Sequence, residues 1–418
     1  NPSLSGAPNV SVINQGTIRA EAAGSTVTVR GTGVVNSGAM RSALGGSLTL
    51  SGSGWLSSGE LQAGSSSAIT MSAAFTNSDN SLFLSGAGTF SLAGASIIGG
   101  TLAINSGTFA RALSTTLNGV TIEGDFLVEG NNWVQVVNGL TLNGTATLGN
   151  PGDSNYGYLQ FTGSQTLGGT GHVVFGNTNS NNTLLPITGG TTLTIGSGIT
   201  VRGKSGTIGY NPSLSGAPNV SVINQGTIQA DGVGGTITIR TPSGDLRSPG
   251  SLRALPGSFL SIVSPIANTG NTLDVGGGGT IAMSGVLNGG TVAIEIGTRF
   301  NPAGGTLNGV TIEGDFLVEG NNWVQVVNGL TLNGTATLGN PGDSNYGYLQ
   351  FTGSQTLGGT GHVVFGNTNS NNTLLPITGG TTLTIGSGIT VRGKSGTIGY
   401  NPSLSGAPNV SVINQGTI

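Results

Sequence analysis

Cysteine is absent from the 418 residues. Its absence removes thiol catalysis, cysteine-ligated zinc and iron–sulfur chemistry. It leaves the compartment open, because secreted domains below about 80 residues often depend on disulfides whereas long repeat proteins do not. Charge is scarce too, at 6% of residues, with 12 Lys plus Arg set singly against 15 Asp plus Glu. Such a chain has no basic stripe for phosphates and no polybasic patch for a lipid surface, so nucleic acid is not an expected partner. No apolar run approaches the roughly 18 residues needed to span a bilayer, so no membrane insertion is expected within this segment. The chain starts at Asn1 without a Met or a signal peptide. It therefore reads as mature, or as cut from something longer.

Glycine is abundant, at 79 residues. Glycine at this level raises the prospect of a low-complexity, disordered chain. Disordered chains, however, combine low hydrophobicity with high net charge. Here 35% of residues are hydrophobic, the net charge is −3, and apolar residues alternate with polar ones, as in Thr236-Ile237-Thr238-Ile239. The chain can bury apolar surface, in many thin slices rather than one thick core.

Repeats decide how the slices are arranged. Residues 116–228 recur unchanged as residues 306–418, an offset of 190, and residues 1–18 recur as 211–228 and again as 401–418. The segment reads as a window on a longer array, since no polar terminal repeat of the kind that seals a solenoid is visible. A shorter, approximate repeat runs through Asn14-Gln15-Gly16-Thr17-Ile18-Arg19-Ala20, Asn36-Ser37-Gly38-Ala39-Met40-Arg41-Ser42 and Ser57-Ser58-Gly59-Glu60-Leu61-Gln62-Ala63. Strand side chains alternate between faces, so Asn14, Gly16, Ile18 and Ala20 share a narrow interior while Gln15, Thr17 and Arg19 meet water. A period near 20 residues gives about three short strands and three turns, one coil of a parallel β-helix. Inward Asn side chains can stack into a hydrogen-bonded ladder. No sustained 3.6-residue period supports helices, and glycine recurs too often for them.

The expected fold is thus all-β: one continuous right-handed parallel β-helix (β-solenoid) over residues 1–418, with coils of about 20–25 residues. A 190-residue repeat would span on the order of 40 Å at roughly 4.8 Å per coil. Three stretches rich in turn formers, 149–158, 176–183 and 203–219, lengthen their coils and should protrude as loops, with copies at 339–348, 366–373 and 393–409.

The pattern Asn-x-Gly-x-Ile-x-Ala at Asn14–Ala20 and Asn224–Ala230 resembles the coil repeats of filamentous-haemagglutinin-type adhesins. The wider texture, as in LNGVTIEGDFLV (117–128) and LTIGSGITVRG (193–203), is similar to giant repetitive bacterial surface proteins. The resemblance covers essentially the whole chain. It implies an extracellular or cell-surface location and a role in attachment, aggregation, biofilm or filaments, and it carries over no catalytic residue.

Few residues could carry chemistry. Glu123, Asp125 and Glu129, copied as Glu313, Asp315 and Glu319, form the densest acidic cluster. Glu123 and Asp125 should face the same side of one strand, where they could bind calcium or act on a polysaccharide; the plainer reading is a solvated outer face. His172 and His362 are one residue in two copies, and a single His builds neither a zinc site nor a triad. The Thr pairs 26/28, 145/147, 192/194 and 236/238 could bind ice or sugar, but they do not recur in every coil. The aromatics Trp133, Tyr156, Tyr158 and Tyr210, repeated as Trp323, Tyr346, Tyr348 and Tyr400, are the candidate contact residues. Exposed, they could stack on surface glycans or anchor protein contacts; otherwise they cap a local core under the loops.

No catalytic, cofactor or metal site is expected. The leading expectation is a non-enzymatic structural component of an extracellular bacterial filament whose partner is itself, by head-to-tail continuation and lateral contacts through loops. The alternatives are a glycan-binding adhesin, then a polysaccharide-active β-helix enzyme or an ice-binding protein.

Overall fold

A computed structural model of the chain describes residue 7 and residues 9–418. Residues 1–6 and 8, in the first copy of the repeated terminal segment, lie outside the described residues. The protein is an all-β parallel β-solenoid of about 18 turns. Among the described residues the only helical elements are two short 3₁₀ turns, Pro212–Leu214 and Pro402–Leu404. Cα proximity divides the chain into two units, residues 1–217 and 218–418.

In the first unit, one face is built from Thr26–Thr32, Ser47–Ser57, Ala68–Thr76, Thr89–Ala93 and Phe109–Leu113, each paired in parallel with the next. The alternating sequence puts Leu48, Ile69, Phe90 and Ala110 in one inward column and Leu50, Met71, Leu92 and Ala112 in the next, all nearly inaccessible. The large Phe90 is followed by the small Ala110 in register, so neighbouring coils trade volume to keep the interior filled. Each such Leu, Ile or Phe contributes about 1.5–3 kcal/mol relative to its exposed state. In the second unit the same arrangement stacks Ile237, Leu260, Ile281 and Phe300.

The Asn-x-Gly motif has two physical reasons. Its Asn points inward: Asn14 Nδ2 donates to Asn36 Oδ1 at 2.7 Å, and Asn36 Nδ2 to Ser57 Oγ at 3.0 Å. This is the expected ladder, and it satisfies polar groups that would otherwise be buried unpaired. Its glycine lies where coils touch through their backbones. A Cβ on Gly59 would sit 2.0 Å from the Gly38 carbonyl oxygen, and one on Gly250 would sit 2.1 Å from that of Gly226.

Coil length departs from the expected range in both directions. Thr89 pairs with Phe109, one regular coil on. His172 pairs with Thr200 across a longer step, and Arg111 with Leu127 across a shorter one. The long steps contain the turn-rich loops. The short step crosses a tight passage through Gly124, whose φ of 112° is open to glycine and costly for other residues.

Candidate contact surface

The three turn-rich stretches of the first copy form one stacked structure rather than three free bulges. Asn177 Nδ2 donates to the carbonyls of Asn150 (3.1 Å) and Asn155 (2.8 Å), and Asn179 Nδ2 to that of Ser154 (2.8 Å), so the second loop lies on the first. Asn211 Nδ2 donates to Asn181 Oδ1 (3.2 Å) and Thr183 Oγ1 (3.0 Å), which seats the third loop on the second. Asn is suited to this work because its amide donates and accepts at once and its short side chain closes turns on its own backbone. The second unit repeats the ladder. Asn367 donates to the carbonyls of Asn340 (3.1 Å) and Asn345 (2.7 Å), Asn369 to that of Ser344 (2.8 Å), and Asn401 to Asn371 Oδ1 (3.3 Å) and Thr373 Oγ1 (3.0 Å).

The third loop departs from the expected protrusion by lying down on the outer face of the solenoid. Asn211 caps the Pro212–Leu214 turn by accepting from Ser213 N–H. A Cβ on Gly216 would come within 2.7 Å of Leu185 Cδ1, so the loop passes directly over that outward leucine. Leu185 and its copy Leu375 are both 0% exposed. The copy shows the result: Tyr348, Leu375 and Leu404 form a buried cluster, with Trp323, Tyr346 and Ile377 packed against it.

Three of the candidate aromatics, Trp323, Tyr346 and Tyr348, gather there. Trp133 and Tyr158 are register partners on adjacent strands, as are Trp323 and Tyr348. The rings of Tyr156 and Tyr158 lie 5.9 Å apart at 39°, and those of Tyr346 and Tyr348 repeat the geometry. Trp133, Tyr156 and Tyr158 are half-buried, and so is Tyr210, whereas its copy Tyr400 is 45% exposed and stands apart from the cluster. The group is thus a small outer core with ring edges at its rim. Burial, then the neighbouring Tyr156, pushes the Tyr158 phenol above its usual 10.0, against a hydrogen bond with Gln160. Tyr348 is raised in the same way by burial and Tyr346.

The acidic cluster is committed to the framework. Its strand ends at Glu123 and the chain turns at Gly124, so Glu123 and Asp125 do not share a strand as expected. Glu123 Oε1 accepts from Asn143 at 2.8 Å, and Asp125 Oδ1 caps Thr145 N–H at 2.7 Å. Glu129 accepts from Asn150 at 2.7 Å and pairs with Arg111 of the preceding coil at 3.4 Å. Among the described residues no three His, Asp or Glu side chains gather as a metal ion would require, and no helix is long and apolar enough to cross a membrane. His172 is exposed on the outer face between Thr145 and Thr200.

The Thr pair 26/28 opens a longer row than the sequence suggested. Its columns run Thr26–Ser47–Ala68–Thr89 and Thr28–Thr49–Thr70–Ser91 before Phe109 and Arg111 end them. In the second unit the column of Thr236 breaks at once at Phe259, whereas that of Thr238 continues through Ser261 to Ala282.

Two parts of this surface escaped sequence reasoning: the leucines flooring the aromatic cluster and the arginine facing Glu129. A signal for the first existed. In Leu184-Leu185-Pro186-Ile187 the polar alternation stops, which marks a strand covered on both faces. Comparison with known protein families, curated proteins and solved structures finds no match. The resemblance to filamentous-haemagglutinin-type adhesins therefore rests on the repeat motif, and its supported part is a tandem-repeat β-solenoid.

Proposed function

We propose that this chain is a structural segment of an extracellular bacterial filament or surface fibre, and that it works by length and repetition rather than by catalysis. The observation that carries the reading is the duplicated block. Residues 116–228 and 306–418 fold with matching strand pairings and loop ladders, so whatever that surface touches it can touch at least twice. An active site works as a single copy, whereas a shaft gains reach, stiffness and multivalency with every repeat. The stacked Asn loops suit the part of a lateral contact. They are held rigid by their own hydrogen bonds, so a neighbour could dock on them at small entropic cost.

The test is lateral association of the native material under the electron microscope. Ser154→Lys combined with Ser344→Lys changes two exposed loop-tip side chains and keeps the backbone carbonyls through which these residues enter the ladder. Bundles should separate into single fibres; bundling that persists unchanged would count against the loops as the contact.

A further inference from the structure

Beside the loop ridge, and separate from the aromatic cluster, the first unit carries an open groove of about 310 Å³ lined by Thr108, Phe109, Asp125, Thr147, Asn150 and Pro151, among others. Two features distinguish it from a surface irregularity. Phe109 leaves 46% of its surface exposed although it stands on a regular strand next to an apolar interior. Asp125 uses Oδ1 to cap Thr145, and its Oδ2 has no partner among the described residues.

An uncovered aromatic face and a spare carboxylate oxygen match the two sides of a sugar ring, which offers an apolar C–H face and a fringe of hydroxyls. The volume is at the lower end of small-molecule sites, about 300–1,000 Å³, and suits a single ring. Charge selects among sugars. The carboxylates of Asp125 and Glu129 lie on this side, and the nearby Arg111 is already engaged by Glu129, so an acidic sugar would meet unbalanced negative charge.

We infer that this groove is a subsite for one neutral hexose ring, with Phe109 as the stacking platform and Asp125 as the hydroxyl acceptor. The site is confined to the first unit. The corresponding groove of the second unit keeps Asp315, Thr337 and Pro341, but its volume is only about 210 Å³. There Arg299 occupies the position of Phe109 and is ion-paired with Glu319, while the adjacent Phe300 is 0% exposed. The duplicated block thus supplies one constant wall, and the variable coil before it decides whether the groove takes a sugar.

The experiment uses the whole chain in solution, so it does not depend on the chain forming a fibre. D-glucose, D-galactose and D-mannose are the probes, with D-galacturonate as the acidic counterpart, read by saturation-transfer NMR and by titration calorimetry. At least one neutral hexose should bind, with one site per chain. Phe109→Ala should weaken it about tenfold or more. Phe109→Trp should retain binding, and Arg299→Ala should leave it unchanged. The inference is overturned if none of the three hexoses binds at millimolar concentration, if Phe109→Ala binds as well as the parent, or if galacturonate binds more tightly than the hexoses.

Discussion

The strands Ser221–Asn224 and Ser411–Asn414 have the same sequence and opposite surroundings. Val222 is 0% exposed and Asn224 donates to Ser248 Oγ at 3.0 Å, in register with the following strand Leu246–Arg247. Val412 is 36% and Ile413 49% exposed, and Ser411–Asn414 is paired on one side only, with Thr382–Ile385. Further along, the contrast widens: Ile228 is 0% exposed and Ile418 is 65% exposed. In a solenoid, a residue's own sequence decides which way it points, while the next coil decides whether it is buried. Stability is then a sum over neighbouring layers.

That comparison can be broken or sharpened by mutating both copies. The largest difference should come from Ile228→Ala, which empties a packed layer and costs about 2–5 kcal/mol. In the 418 residues taken alone, where no further coil is stacked on it, Ile418→Ala should stay within about 0.5 kcal/mol, as surface changes do. Equal shifts in urea midpoint would refute the layer account. Next, Leu185→Ala and Leu375→Ala should cost nearly the same, about 2–3 kcal/mol each, because the loop covering them belongs to the same block. An unequal pair would show that the outer core depends on context after all.

Alkaline titration gives a smaller effect. Tyr158 and Tyr348 both have raised phenol pKa values in the folded chain, chiefly through burial. Their contribution to stability is complete below the unfolded value of about 10 and is lost as pH climbs through the folded value. Leu375→Ala opens the cover over Tyr348, so the Tyr348 phenol should move back toward its usual value in an ultraviolet titration. The smallest effects belong to the ion pairs. Arg111→Ala and Arg299→Ala should each cost less than about 1 kcal/mol, since both guanidinium groups are well exposed. A larger loss in thermal unfolding would mean that Glu129 or Glu319 depends on its arginine more than on Asn150 or Asn340.

Much of this fold is legible locally. Thr17-Ile18-Arg19-Ala20 and Thr236-Ile237-Thr238-Ile239 show by alternation alone which face is inside, and the Asn-x-Gly spacing shows where coils meet. The parts that are not legible depend on register between coils of unequal length. Nothing near Glu129 points to Arg111, because the partner sits across the short step at Gly124. The second block makes the point more strongly. The identical Glu319 takes its arginine from Arg299, although the residue that corresponds to Arg111 is Asn301. The aromatic cluster is half legible: Trp133, Tyr156, Tyr158 and Tyr210 stand out in the sequence, but nothing beside them points to Leu185, which lies on the strand that stacks on Tyr158 in the following coil.

The fibre proposal is tested most directly by cryo-electron microscopy of the native material. It predicts filaments with an axial layer spacing of about 4.8 Å and surface ridges recurring on the order of every 40 Å, once per 190-residue repeat. Discrete particles of defined mass with sealed ends would contradict it.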